Sequence, residues 1–166
     1  MKFLKRLLSP LCGVIALCGC TGTLNLAAPH DTYAVSRDIA YGTEKQQHLD
    51  IYVPTAHAAG NPVVIFFHGG QWQQGSKNDD LFVAQALTSK GITAVMVDYQ
   101  LYPATFPGFM YHAVRAVAWT RAHIESNGQP QNLFVAGYDS GAYIAAMLAL
   151  DERYLKLVGG NQTWLR

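Results

Sequence analysis

Three unbroken hydrophobic runs mark the middle of the chain: Pro62–Phe67 (PVVIFF), Ile92–Tyr99 (ITAVMVDY) and Asn132–Ala136 (NLFVA). Apolar, partly β-branched runs of this length, without polar alternation, suit strands buried on both faces of a parallel sheet. Between them lie two segments with helical spacing. Asp79–Lys90 carries Leu81, Phe82, Ala84 and Leu87 as an apolar stripe, with Gly91 as its natural stop. Phe109–Glu125 places Ala113, Val117 and Ile124 on one face. After the third run, Ala142–Leu150 (AYIAAMLAL) is built of good helix formers. The order strand, helix, strand, helix, strand, helix predicts an α/β fold with a mostly parallel sheet and crossover helices. Upstream, Val35–Ala40 and His48–Val53 read as antiparallel strands at one sheet edge, joined through Gly42-Thr43-Glu44-Lys45. Thr55–Asn61 is a surface loop, and Tyr102-Pro103 with Phe106-Pro107 forms a rigid loop that either lines a pocket or packs on itself.

Composition narrows this picture. Half the residues are hydrophobic and 14% are charged, so the chain is not disordered. The formal net charge is +1 over 166 residues, with no basic run or basic–aromatic patch that would suit nucleic acid. Lys2, Lys5 and Arg6 precede a short apolar stretch, Leu7–Leu17, interrupted by Ser9-Pro10. That is the form of an export signal, too short to span a bilayer comfortably. It ends in Leu17-Cys18-Gly19-Cys20, which resembles a bacterial lipobox. The resemblance implies a signal peptide over 1–19, cleavage before Cys20 and lipidation of its sulfur. It also implies anchoring to the cell envelope, at the outer membrane facing the periplasm because Thr21 rather than aspartate follows. A plain signal peptide is the alternative. Residues 20–32 then form a tether and 33–166 one domain. No thiol remains for a disulfide or a metal site, and no cofactor pattern is present.

The candidate chemistry sits at two turns. Gly137-Tyr138-Asp139-Ser140-Gly141 joins the third hydrophobic run to the last helix. A strand, a sharp glycine-flanked turn and a helix make an elbow that lifts the side chain of its middle residue above the sheet. His68-Gly69-Gly70-Gln71-Trp72 follows the first run directly. Glycines in such a position leave backbone N–H groups free to face a developing oxyanion.

Together these motifs resemble the α/β-hydrolase superfamily, in its esterase/lipase branch with an HGG-x-W oxyanion loop. That branch includes carboxylesterase-like, feruloyl-esterase-like and kynurenine-formamidase-like proteins. The residues carrying the likeness are Leu49–Pro54, Phe67–Trp72, Asp98–Pro103 and Leu133–Ala142. The resemblance implies a three-layer α/β-hydrolase sandwich, here its N-terminal portion with the C-terminal part missing. It implies carboxylic-ester hydrolysis on a small ester, with an oxyanion hole from Gly69, Gly70, Gln71 and Ser140. His68 and Trp72 would support that loop, Gly137 and Gly141 would be the elbow glycines, and Gln74 with Trp72 would be candidates for a pocket wall. Core packing is the other reading of Trp72.

The chain departs from the family where it matters most. The elbow nucleophile position, serine in the family, is Asp139. A carboxylate attacking an ester would give a mixed anhydride, and its charge opposes that of the oxyanion. Ser140 lies one residue past the apex, so its side chain should point elsewhere. All six histidines precede the elbow, whereas the family places acid and histidine after it. His112 and His123 read as surface or core-edge residues of the second helix. Gln100 stands where the branch often has arginine. The expectation is a hydrolase scaffold that is inactive as this chain stands. Two alternatives stay open: a non-catalytic, membrane-anchored pseudo-hydrolase that binds a ligand or partner, and an aspartate-nucleophile hydrolase with dehalogenase or epoxide-hydrolase chemistry in a longer product.

Overall fold

A computed structural model describes residues 20–56, 60–126 and 132–166. Residues 1–19, expected as a signal peptide, lie outside them. The elements in chain order are α1 (Cys20–Ala27), β1 (Tyr33–Ala40), β2 (His48–Pro54), β3 (Val63–Phe67), α2 (Leu81–Thr88), β4 (Thr93–Val97), α3 (Gly108–Ser126), β5 (Leu133–Gly137), α4 (Ser140–Leu150) and α5 (Glu152–Lys156). A short 3-10 turn follows at Gln162–Trp164.

The three hydrophobic runs become β3, β4 and β5, which lie side by side and parallel within the order β1-β2-β4-β3-β5. The expected strand pair upstream forms β1 and β2, antiparallel to each other, and β2 runs antiparallel to β4. Strand alternation sorts the side chains onto two faces. Ile65, Phe67, Val95 and Val97 join Met110, Ala113, Val114 and Val117 of α3 and Ile144 and Leu148 of α4 in the larger core. Phe66, Ala94 and Met96 face α2 through Ala84, Leu81 and Leu87. Helices on both faces of one sheet give the three layers the sequence predicts. β4 is buried at every position, whereas the equally apolar β5 pairs only with β3 and is half-buried beyond Leu133.

Two boundaries differ from the sequence reading. The stretch 20–32, expected as a tether, is helical as far as Ala27 and docks on α2. The Asn25 amide donates to the carbonyls of Asn78 and Asp79, and its oxygen accepts the Phe82 N–H. The helix expected from Asp79 begins at Leu81, because the Asp79 carboxylate closes a turn by accepting from the Ser76 N–H at 2.8 Å. The α2 end is as expected: Gly91 has φ +74° and the Ile92 N–H returns to the Leu87 carbonyl at 3.1 Å. Among the described residues no helix is long and apolar enough to cross a membrane.

A buried ionic cluster pins the loop after β3 to the sheet. The register of β1 against β2 shifts between Ser36 and Ile39, and Asp38 there has φ 55°. This bulge turns the Asp38 N–H and the Arg37 guanidinium toward Asp50 of β2, at 2.8 and 3.2 Å. Lys77 reaches in from the loop to Asp38 at 2.8 Å and Asp50 at 3.0 Å. Its own N–H donates to the Asp98 carboxylate at 2.6 Å. Burial alone would depress the Lys77 ammonium, and the hydrogen bonds it donates to Asp38 and Asp50 outweigh this and hold it above its ordinary value.

Candidate functional site: an elbow and a loop closed on each other

The elbow forms as the sequence predicts. β5 ends at Gly137, Asp139 turns with φ 50° and ψ −116°, and Ser140 opens α4. This is a conformation that non-glycine residues seldom hold, and the crowding around it keeps it in place. A Cβ on Gly141 would lie 1.9 Å from the Phe67 carbonyl oxygen, and one on Gly137 would lie 2.3 Å from the Gly141 carbonyl carbon. Only hydrogen fits at either position, so the two glycines are required by close approach of β3, β5 and α4.

The facing loop is equally constrained. Gly70, Gln71 and Trp72 have φ of +118°, 56° and 59° in succession. Such a run turns consecutive N–H groups toward one side and makes an anion-binding concavity. The Gly70 carbonyl accepts the Gln73 and Gln74 N–H groups, closing the turn behind it.

The Asp139 carboxylate lies in that concavity. Its Oδ2 accepts the Gln71 N–H at 2.9 Å and the Gly70 N–H at 3.1 Å. These two donors, with a smaller contribution from the Ser140 N–H and against a modest opposing effect of burial, hold the carboxyl below its ordinary value. Of the four residues expected at the oxyanion hole, Gly70, Gln71 and Ser140 thus present N–H groups to one carboxylate. Gly69 meets the elbow differently: a Cβ there would be 2.7 Å from the Tyr138 ring.

The supporting residues are placed as follows. His68 is buried and stacks on Tyr99, with ring centroids 4.4 Å apart. Its Nδ1–H donates to the Gly69 carbonyl at 2.7 Å, while Nε2 lies 3.9 Å from Asp98 and has no hydrogen-bond partner among the described residues. The Tyr99 hydroxyl donates to the His68 carbonyl at 2.8 Å and meets the Ser140 Oγ at 3.1 Å, and burial pushes it up to about 12. The Ser140 hydroxyl is therefore turned into the core, away from Asp139. Trp72 packs between Phe109 and Tyr143, at 5.6 and 5.7 Å, so the core-packing reading of this residue describes its contacts. Gln74 lines a cavity beside the loop.

His112 is a core-edge residue, buried and 3.2 Å from Glu44, and burial lowers its titration. His123 stacks on Trp119 at 4.9 Å. Both lie on α3, outside the elbow and loop. Sequence reasoning missed Tyr99 as the bridge between loop and elbow, and Lys77 as the buried cation behind the loop. A tyrosine two residues past the end of β4, closing the Ile92–Tyr99 run, was the available signal for the first. An aspartate at the inward-facing position 50 was the signal that some cation must reach it. Among the described residues no group of three or more His, Cys, Asp or Glu is placed to hold a metal ion.

The BD-FAE family model matches residues 49–163, most of the chain. The chain belongs to the BD-FAE family. It is 35% identical over 115 residues to kynurenine formamidase of Danio rerio, covering 67% of this chain and 37% of that protein. It is 31% identical over 148 residues to esterase LipC of Mycobacterium tuberculosis, covering 82% and 36%. Esterase B of Lactobacillus rhamnosis superposes with a TM-score of 0.70 at 21% identity, over 92% of this chain and 52% of that one. An arylesterase structure superposes with a TM-score of 0.64 at 26% identity, over 82% and 46%. The fold is that of the α/β-hydrolase esterase branch. The chain spans about a third of the length of the curated relatives it matches.

Proposed function

We propose that this chain derives from a carboxylic-ester hydrolase and carries its oxyanion loop and elbow in a form that does not itself turn over esters. The observation that carries this reading is the Asp139 carboxylate accepting the Gly70 and Gln71 N–H groups. In acyl transfer those donors stabilise charge that develops on the carbonyl oxygen in the transition state. A donor already satisfied by a fixed carboxylate gains little from a second anion, and the carboxylate repels it. Both N–H groups hold Oδ2, so the aspartate-nucleophile reading would have to use Oδ1 for attack on carbon.

The test is p-nitrophenyl acetate and butyrate hydrolysis by the full chain beside an Asp139→Ala control. The two should run at the same background rate. Turnover by the unaltered chain above that control would overturn the reading.

A second reading, a non-catalytic binding protein, is favoured by the intact geometry around an altered apex. Gly137, Gly141 and the left-handed loop are all retained although serine is absent. The small ester or related ligand of the family is its natural occupant. For location we infer lipid anchoring at Cys20 in a bacterial envelope, supported by Leu17-Cys18-Gly19-Cys20 after the basic start. Labelled palmitate incorporated by the unaltered chain and lost in Cys20→Ser is the expected outcome, and equal labelling of both would refute it.

A further inference from the structure

A cavity of about 330 Å³ opens beside the oxyanion loop, lined by Gly69, Gly70, Gln74, Gly75, Asp79, Asp80 and Tyr138. Asp139 is not among its walls, so binding there can be tested apart from ester turnover. Its charged walls are both acidic, and no basic side chain lines it. Asp79 is already engaged, its two carboxylate oxygens accepting the Ser76 N–H and hydroxyl. Asp80 is different. The residue is only 5% exposed, and its carboxylate accepts no hydrogen bond among the described residues.

The reason lies in how α2 is capped. Asp80 occupies the N-cap, where an aspartate ordinarily accepts an N–H of the first helical turn. Here it makes no such bond, and the Phe82 N–H goes to the Asn25 side chain of α1. The capping work is done by another residue, and the Asp80 carboxylate is left in the cavity wall. Lys77 pairs with Asp38 and Asp50, and of the His68 ring the Nδ1–H donates to the Gly69 carbonyl while Nε2 has no hydrogen-bond partner among the described residues. Burial, and after it the neighbouring Asp79 carboxylate, push the Asp80 carboxyl up against an opposing pull from His68. The Tyr138 ring forms part of the same wall and is largely exposed.

We propose that this cavity is a binding subsite for an organic cation, a primary ammonium or guanidinium group, held by Asp80 and covered by the Tyr138 ring. A charge-assisted hydrogen bond from such a group replaces the hydration Asp80 has lost. An aromatic face beside a carboxylate favours a cation over a neutral donor. The subsite adjoins Gly69 and Gly70, so a ligand reaching toward the elbow would place its cationic end here.

The experiment is an amide-shift titration of the full chain with n-butylammonium chloride, with n-butanol and sodium chloride as matched neutral and ionic controls. Saturable shifts at Gly69, Gly70, Gln74 and Gly75 with butylammonium alone are expected. Asp80→Asn, which keeps the shape and removes the charge, should weaken binding about tenfold or more. Tyr138→Ala should weaken it by a smaller factor while leaving the selectivity over butanol. Equal shifts with butanol or sodium chloride, no saturable shift, or binding unchanged in a folded Asp80→Asn would each overturn the proposal. If Asp80→Asn fails to fold, Tyr138→Ala decides it, since butylammonium affinity unaltered in that variant would sink the assignment.

Discussion

Lys77→Met should be among the most destabilising substitutions available outside the hydrophobic core. The Asp50 side chain is fully buried and that of Lys77 is 5% exposed, with 3.0 Å between ammonium and carboxylate. Methionine keeps the stem and removes the charge. Asp50 would retain Arg37, whose side chain is 46% exposed, and the Asp38 N–H. Removing one partner of a buried ion pair costs about 3–5 kcal/mol, because the other charge stays desolvated. Set against a total stability of about 5–15 kcal/mol, this is a large fraction. At roughly 2–4 °C per kcal/mol it lowers Tm by about 6–20 °C. Urea unfolding followed by circular dichroism would measure it.

Asp50→Asn in the Lys77→Met background removes the stranded charge and should recover part of the loss, so the double variant is more stable than the sum of the singles predicts. The pH dependence has a definite sign. The native Lys77 titrates above its ordinary 10.5, so its contribution is intact below that pH and fades as the pH rises through the higher native value. Buried Tyr52 and Tyr99, pushed up to about 12, act in the same direction, so the informative quantity is the difference between the unaltered chain and Lys77→Met. A loss under about 1 kcal/mol, or strictly additive singles, would refute the view that Lys77 holds Asp50.

Other substitutions probe the site directly. Gly141→Ala places a methyl 1.9 Å from the Phe67 carbonyl oxygen and should cost about 3 kcal/mol or more by thermal unfolding, whereas Gly159→Ala, with nothing within 4 Å but φ +77°, should cost about 1–2 kcal/mol. Tyr99→Phe deletes the hydroxyl that joins the His68 carbonyl to Ser140 and should cost about 1–3 kcal/mol, read as a shift in urea midpoint. The Asp139 carboxyl, followed by carbon-13 NMR, should titrate below 3.8, and the stability it contributes should be present above that pH and lost as the pH falls through the lower native value. Asp80→Asn should raise stability at pH 7 and leave it unchanged near pH 3, because the native Asp80 titrates above its ordinary value and pays for ionisation only at higher pH; a variant less stable at pH 7 would contradict this.

The elements that could be read from the chain were those whose cause is local. β3, β4 and β5 are legible because a strand covered on both faces needs no alternation, and an uninterrupted run such as Val63–Phe67 has few other uses. The elements that could not be read depend on distant partners. Cys20–Ala27 contains Gly22 and two threonines, which favour a coil, yet Asn25 bonds to the start of α2 and the segment is helical. The Asp79-Asp80 pair reads as the start of a helix. One aspartate is spent on Ser76 and the other does not cap, so the helix starts later. Asp50 between Leu49 and Ile51 announces a buried charge, but nothing in the order of residues says that a loop lysine and a bulged arginine will meet it.

The site divides in the same way. Gly70, Gln71, Asp139 and Ser140 could be assigned to a loop and an elbow because the two glycine motifs have steric causes that act within a few residues. Where the Asp139 carboxylate goes could not be assigned, since it depends on ψ −116° at the elbow and on the approach of two segments about seventy positions apart. An oxyanion hole is a set of backbone donors kept without a permanent partner so that charge appearing late in a reaction finds them ready. Placing a carboxylate at the apex gives those donors a partner, and the attraction between them stabilises the loop. The geometry is held by Gly137, Gly141 and the left-handed Gly70–Trp72 turn, none of which needs a serine at position 139. An aspartate at position 139 therefore exerts no steric pressure on the rest of the site, and a scaffold of this kind can keep the shape of a hydrolase while its central donors serve as an anchor for its own side chain.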